Sequence, residues 1–263
     1  MAVFLTLGLA ASSVAGCSSD SAESPAAPLR ILVTNDDGVS ALGIDAIVGA
    51  LTADSDDEVT VCAPATERSG TGDTTDCGTL EGADAETASG YPATAVDGCP
   101  ADAVNYALDP SNGLYMADSL PHVVISGINT GQNLGAPIIS ISGTVGAAKT
   151  AARDHGIPAL ASSQGLPEPD GEYDYPSGVE AVLAWLAEHR GALAVGTVTT
   201  TEIDSINIPS CAAGSMIRGT LEIAISETST FQAQDCESDL ANPQTDVEAF
   251  DNGYTTLSAV PAN

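Results

Sequence analysis

The order of its elements predicts that this chain is an α/β protein, a Rossmann-like three-layer sandwich with a mostly parallel sheet and a strand-rich C-terminal extension. Two observations carry that prediction. Strand-like apolar runs alternate with helix-period segments from Leu29 to Arg190. The first run, "LRILVTN", is continuously apolar, as in a strand buried on both faces. Parallel strands joined through helices cross over right-handed, which stacks helices on both sheet faces. The 263 residues, 43% of them hydrophobic, are enough for one large core.

The elements follow in order. After "LRILVTN", the segment "GIDAIVGAL" carries Ile44, Ile47, Val48 and Leu51 at helical spacing. "EVTVCAP" is a strand stopped by Pro64, "ADAVNYAL" a helix and "HVVIS" a strand. "GTVGAAKTAARDHG" is a helix closed by Gly156, and "IPALASS" the next strand. "PSGVEAVLAWLAEHR" places Val179, Val182, Leu183 and Leu186 on one helical face, with Pro176 at its start. From about residue 193 the alternation fades into strand-like "SINIP", "GTLEIAISE" and "GYTTLSAV", expected to serve as an extension or oligomerisation arm.

Charge narrows the partners. The chain carries 36 acidic residues against 6 Lys and Arg, a formal net charge of −30. Phosphate backbones repel such a surface, so no nucleic-acid polymer is expected as a partner. A solvated, salt-adapted face is the ordinary reading of this acidity; a cation-collecting surface is the other.

Residues 1–28 read as a leader and tether, leaving 29–263 as the folded domain. "VFLTLGLAASSVAGC" is too short for a comfortable transmembrane helix and has the form of a secretory h-region ending in small residues. "VAGC" resembles a bacterial lipobox, which makes Cys17 the expected lipid anchor and places the protein on the periplasmic or extracellular face of a membrane. "SSDSAESPAAP" is a polar tether. Export permits disulfides, and Cys77–Cys99 and Cys211–Cys236 are favoured because each closes a local loop. Cys62, within "VTVCAP", reads as a buried free thiol. No CxxC or HxxxH spacing supports zinc.

Ligands in open α/β sheets bind beyond the carboxyl ends of the strands. Asp36 and Asp37 fall just past the first strand, in "NDDG". Adjacent carboxylates raise each other's pKa, and a bound hard cation relieves that repulsion. By the dipeptide alone two solvated turn residues serve as well, and Asp56-Asp57 reads as a plain loop pair. Three further segments also fall at strand ends: "APATERSGTG", "SGINTGQNLG" and "SISGTVGAAK". Their Gly, Ser, Thr and Asn supply tight turns and backbone donors, and the last opens a helix, whose N-terminus favours phosphate.

Together "ILVTNDDG", "VCAPATERSG", "CPADAVNYAL", "VVISGINTGQNLG", "SGTVGAA" and the tail "TDVEAFDNGYTTLSAV" resemble the SurE survival-protein family of metal-dependent nucleotidases and acid phosphatases. The resemblance runs from about Leu29 to the end. It implies a catalytic Asp36 and Asp37 that bind, with Ser69 and Asn129, one divalent cation per site, Mg²⁺ or Mn²⁺. It also implies a phosphate pocket of Asn133, Ser142, Gly143 and Thr144, and hydrolysis of nucleoside monophosphates or other small phosphomonoesters. A homodimer or homotetramer is the implied assembly. The alternative is a catalytically inactive metal- or nucleotide-binding lipoprotein of the same fold. Arg68 is the one cation inside a motif loop, read either as a surface ion pair or as a phosphate-steering charge. His122, His155 and His189 lie outside the motif loops, which disfavours a histidine nucleophile. No G-x-S-x-G elbow or Walker loop occurs.

Overall fold

The computed structural model describes residues 27–53, 56–167 and 171–263. The leader, and with it Cys17, lies outside them. Among the described residues no helix is long and apolar enough to cross a membrane.

Strand β1 (Arg30–Thr34) runs through the middle of the molecule, and its side chains alternate between two cores. Ile31 and Val33 face one side, against helix α1 (Leu42–Ala53) and helix α5 (Tyr175–Ala194). Leu32 faces the other, against α2 (Pro100–Leu108) and α4 (Gly143–His155). This is the period of 2 in a strand read against two helical layers. Parallel to β1 run β2 (Glu58–Pro64), β5 (Val123–Thr130), β6 (Ala159–Gln164) and β7 (Glu202–Ile208), and the short helix α3 (Gly135–Ile139) follows β5.

β1 pairs in parallel with β2 on one side and with β5 on the other. The chain winds outward in opposite directions from that point, so a crevice opens at the carboxyl ends of β1 and β5. Two additional elements, β3 (Gly82–Glu86) and β4 (Pro92–Val96), form an antiparallel hairpin whose β4 pairs in parallel with β2. "GADAE" and "PATAV" lack a run of β-branched or aromatic residues, which is why no strand was expected there. Asp45 of α1 holds the hairpin by accepting bonds from the Thr87 and Ser89 hydroxyls.

The C-terminal segment is part of the same sheet. β9 (Thr255–Pro261) pairs antiparallel with β7, and the short β8 (Thr220–Glu222) pairs with β9. The expected strand "GTLEIAISE" is therefore only three residues long, and helix α6 (Asp246–Asp251) lies between β8 and β9. The sheet reads β3-β4-β2-β1-β5-β6-β7-β9-β8. On α5, Val182, Trp185, Leu186 and Leu193 are buried. Leu183, expected on that face, is 36% exposed because the stripe turns toward Trp185 instead.

Both expected disulfides are present, Cys77–Cys99 and Cys211–Cys236, and Cys62 is a buried free thiol. Burial pushes the Cys62 thiol up to about 12, which makes it inert. Asp57, read as a plain loop residue, is instead clamped bidentately by Arg190 at 2.6 and 2.8 Å and ties α5 to the start of β2.

Helix α1 approaches β5 so closely that a Cβ on Gly43 would stand 1.9 Å from the Ile128 carbonyl oxygen, whereas one on Gly49 meets nothing within 4 Å. Gly43→Ala is therefore expected to cost about 1–3 kcal/mol. Gly49→Ala, in the same helix, should stabilise by about 0.5–1 kcal/mol. Urea unfolding of both variants checks the pair; equal effects would show that the contact is not made.

Candidate active site

The carboxyl end of β1 turns sharply at Asn35–Gly38. Asn35 closes the turn on itself: its Nδ2 donates to the Gly38 carbonyl and its Oδ1 accepts from the Gly38 N–H. Gly38 has φ 102°, a left-handed conformation that suits glycine. The same turn is stitched to the loop after β2, where Val39 N donates to Pro64 O and Arg68 N to Asp36 O. Ser69 is thereby carried to the end of β1.

Asp36 is 3% exposed. Its Oδ1 accepts from the Thr144 hydroxyl at 2.7 Å and its Oδ2 from the Thr144 N–H at 3.1 Å. Burial still raises its pKa, against these two bonds, with a further push from Glu67. Asp37 accepts from the Thr130 N–H at 3.0 Å. Burial and the neighbouring Asp36 charge push its pKa up to about 6. Two carboxylates are thus held together at a place where neither ionises easily.

β5 supplies the next residue through an irregularity. Its register with β6 advances three residues, Ser126 to Asn129, against two on the partner. That extra residue re-aims Asn129. Asn129 Nδ2 donates to Gly131 O at 2.6 Å, while its buried Oδ1 has no hydrogen-bond partner among the described residues. A buried acceptor left without a donor, next to two carboxylates, is the donor set of a hard cation. The residues present fit such an ion.

A cleft of about 220 Å³ brings Asp36, Ser69, Asn129, Asn133 and Ser142 together. Asp37 is not among its lining residues; it is held beside the cleft through Thr130, which is. Asn133 donates to Ser163 Oγ at 2.9 Å, and its backbone N–H donates to Asn207 Oδ1 at 2.7 Å. Ser142 caps α4 by accepting from the Val145 N–H. Gly143 and Thr144, expected beside a phosphate, do not line the cleft. Thr144 is fully buried and turned to Asp36. A Cβ on Gly143 would stand 2.8 Å from Asp36 Cβ, so glycine there lets α4 reach the carboxylate.

Sequence reasoning missed four things. Glu67 brings a third carboxylate into electrostatic range of Asp36 and Asp37, and it accepts from the Ser69 N–H. Asn207 fixes Asn133; a polar residue two places before Pro209 at a strand end was the available signal. Asp246 accepts from Gly135 N and Ser226 N, so the C-terminal segment braces the start of helix α3 (Gly135–Ile139). Leu166 and Phe231 form an apolar rim, for which no sequence signal existed. Arg68 pairs with Asp97 at 3.2 Å, both half-exposed, and does not line the cleft. The three histidines hydrogen-bond elsewhere, His122 to Arg30, His155 to Asn105 and His189 to Trp185.

The family described as Survival protein SurE matches residues 31–233. The protein of Aliivibrio fischeri named 5'-nucleotidase SurE is 34% identical over 183 residues, covering 70% of this chain and 63% of its own length. The one of Methanothermobacter thermautotrophicus is 34% identical over 203 residues, covering 72% and 71%. The one of Methanocella arvoryzae is 37% identical over 136 residues, covering 51% and 48%. The chain thus spans about half to two thirds of the length of two of these relatives. In fold it is similar to the SurE protein of Aquifex aeolicus, with a TM-score of 0.68 at 24% identity over 89% of this chain and 94% of that one.

The raised pKa of Asp37 has a thermodynamic consequence for the metal-free protein. A folded pKa of about 6 against an ordinary 3.8 contributes stability that is fully present below about pH 4. That stability is lost as pH rises through about 6. Asp37→Asn removes the loss. In excess chelator its melting temperature should exceed wild type by about 3–6 °C at pH 7.5 and converge with it near pH 4. A lower melting temperature at both pH values would contradict the repulsion.

Proposed function

The chain belongs to the SurE family, and from that membership and the geometry of its oxygen-lined cleft we propose that it is a metal-dependent phosphomonoesterase hydrolysing nucleoside monophosphates to nucleoside and phosphate. The observation that carries the reading is the unpartnered, buried Asn129 Oδ1 beside Asp36 and Asp37. Asp36, Asp37, Ser69 and Asn129 would hold one Mg²⁺ or Mn²⁺, which when bound supplies a Lewis acid for a phosphoryl oxygen and lowers the pKa of a coordinated water.

The chain's own groups then divide the remaining work. Thr144 orients Asp36 and leaves the cleft to others. Ser142 accepts from Val145 N, so its Oγ–H is the donor offered to a phosphoryl oxygen. Asn133 lines the cleft where the phosphate would sit, and its donors are turned inward to Ser163, Thr144 and Asn207, which fix it in place. Glu67 is exposed and hydrogen-bonded to Ser69, so its charge is partly screened from an incoming anion.

The test is release of inorganic phosphate from a panel of nucleoside 3'- and 5'-monophosphates, after chelation and after Mn²⁺ is restored. Activity should require the ion, and Asp36→Asn should lower kcat/KM by about two orders of magnitude with folding intact. Ion binding without turnover would instead support the non-catalytic binding protein.

We further propose that the protein is exported and held on a membrane by lipid on Cys17, a reading supported by "VAGC" after a short apolar run. Cys17→Ser should move the protein from the membrane fraction to the soluble one. Finding no lipid on Cys17 by mass spectrometry of the wild type would overturn the anchor.

A further inference from the structure

A second cleft, of about 200 Å³, adjoins the first and shares Gln132, Leu166 and Phe231 with it. Neither alone reaches the roughly 300–1,000 Å³ of a small-molecule site, and the two joined do. The chemistry changes abruptly between them. The first holds Asp36; every residue lining the second is neutral, in a chain with 36 acidic residues. Its polar groups include the side chains of Gln232 and Gln234, and an amide carries both a donor and an acceptor.

Phe231 stands at the seam. It is one of three phenylalanines in the chain and is 63% exposed, so it contributes little to the core. An exposed ring beside neutral amides matches a flat, uncharged heteroaromatic ring: stacking on the face, hydrogen bonds on the edge. The wall is built before any ligand arrives. Leu166 N donates to Gln132 Oε1, and Ser210 N donates to Gln234 Oε1 at 2.9 Å. The Cys211–Cys236 disulfide closes the loop that carries Phe231. Preorganisation of this kind lowers the ordering cost of binding.

We propose that Phe231 and the neutral cleft form the leaving-group subsite, which takes the nucleobase and selects nucleotides over small phosphomonoesters. The inference rests on the phosphomonoesterase reading of the adjoining cleft. A nucleoside monophosphate spans both clefts, phosphate among the oxygens and base on Phe231.

The experiment measures kcat and KM in Mn²⁺ for adenosine 5'-monophosphate and for glycerol 2-phosphate, with wild type, Phe231→Ala and Phe231→Tyr. Phe231→Ala should raise KM for the nucleotide about 10-fold, the worth of one stacked base, with a much smaller change in kcat. Its effect on glycerol 2-phosphate should be at least about 5-fold smaller, and Phe231→Tyr should restore the preference. Adenosine binding by calorimetry is read alongside, because it requires no turnover. If wild type hydrolyses neither phosphate, the phosphomonoesterase reading fails, and adenosine binding that weakens in Phe231→Ala still supports the subsite. An equal loss for both substrates, or adenosine binding that is absent or indifferent to Phe231→Ala, overturns the proposal.

Discussion

Two hydrogen bonds from Thr144 to Asp36 join the end of β1 to the start of α4. A carboxylate at 3% exposure is costly to ionise, and these bonds are what favours its charged form. Much of the local structure follows from that junction. Gly143 has no side chain because α4 must come within reach of Asp36. Gly146 has none because a Cβ would stand 2.0 Å from Gly72 O, in the loop that also carries Ser69. The Asn35 turn holds Asp36 at the right height, and the backbone bond from Arg68 to Asp36 draws the second motif loop in behind it. The site is assembled around one buried charge rather than hung on the sheet edge.

The molecule is also divided electrostatically. A formal charge of −30 surrounds a cleft that already contains the carboxylate of Asp36. Such a surface repels an anion at a distance, with a range of about 8 Å at physiological ionic strength. In the function proposed above, a cation held by Asp36, Asp37, Ser69 and Asn129 would supply the local reversal of sign that a phosphate needs. The neutral second cleft contributes nothing to that field, and so leaves recognition there to shape and stacking.

The sheet and most of its helices could be read from the chain because burial on two faces leaves continuous apolar runs in β1, β2 and β5, and a 3.6 period in α1, α4 and α5. The β3–β4 hairpin was hidden, since it lies at the sheet edge and its side chains are small and half-exposed. Asp36, Ser69, Asn129, Asn133 and Ser142 were legible as a group through their motifs, and they meet in one cleft. The partition of labour between Ser142 and Thr144 was not. Both are small hydroxyl residues at a helix start, and only the position of Asp36 decides which one turns inward. Glu67 and Phe231 escaped for the opposite reason. Each is an ordinary exposed residue until tertiary structure brings it next to the site.

The loop bearing Phe231 is closed on itself by Cys211–Cys236, 25 positions apart in the chain. Its ends are pinned to each other, and the stretch between them includes β8, the last strand of the sheet, and Ser226, whose N–H donates to Asp246. Doubling a flexible loop costs only about 0.6 kcal/mol, and a covalent clasp confines even that change to the loop. A change of length is therefore least costly at the exposed residues 231–233, which belong neither to β8 nor to the Ser226 contact. The clasp thus joins a fixed part, β8, to a short exposed segment bearing Phe231 that can change without disturbing Asp36 and its neighbours.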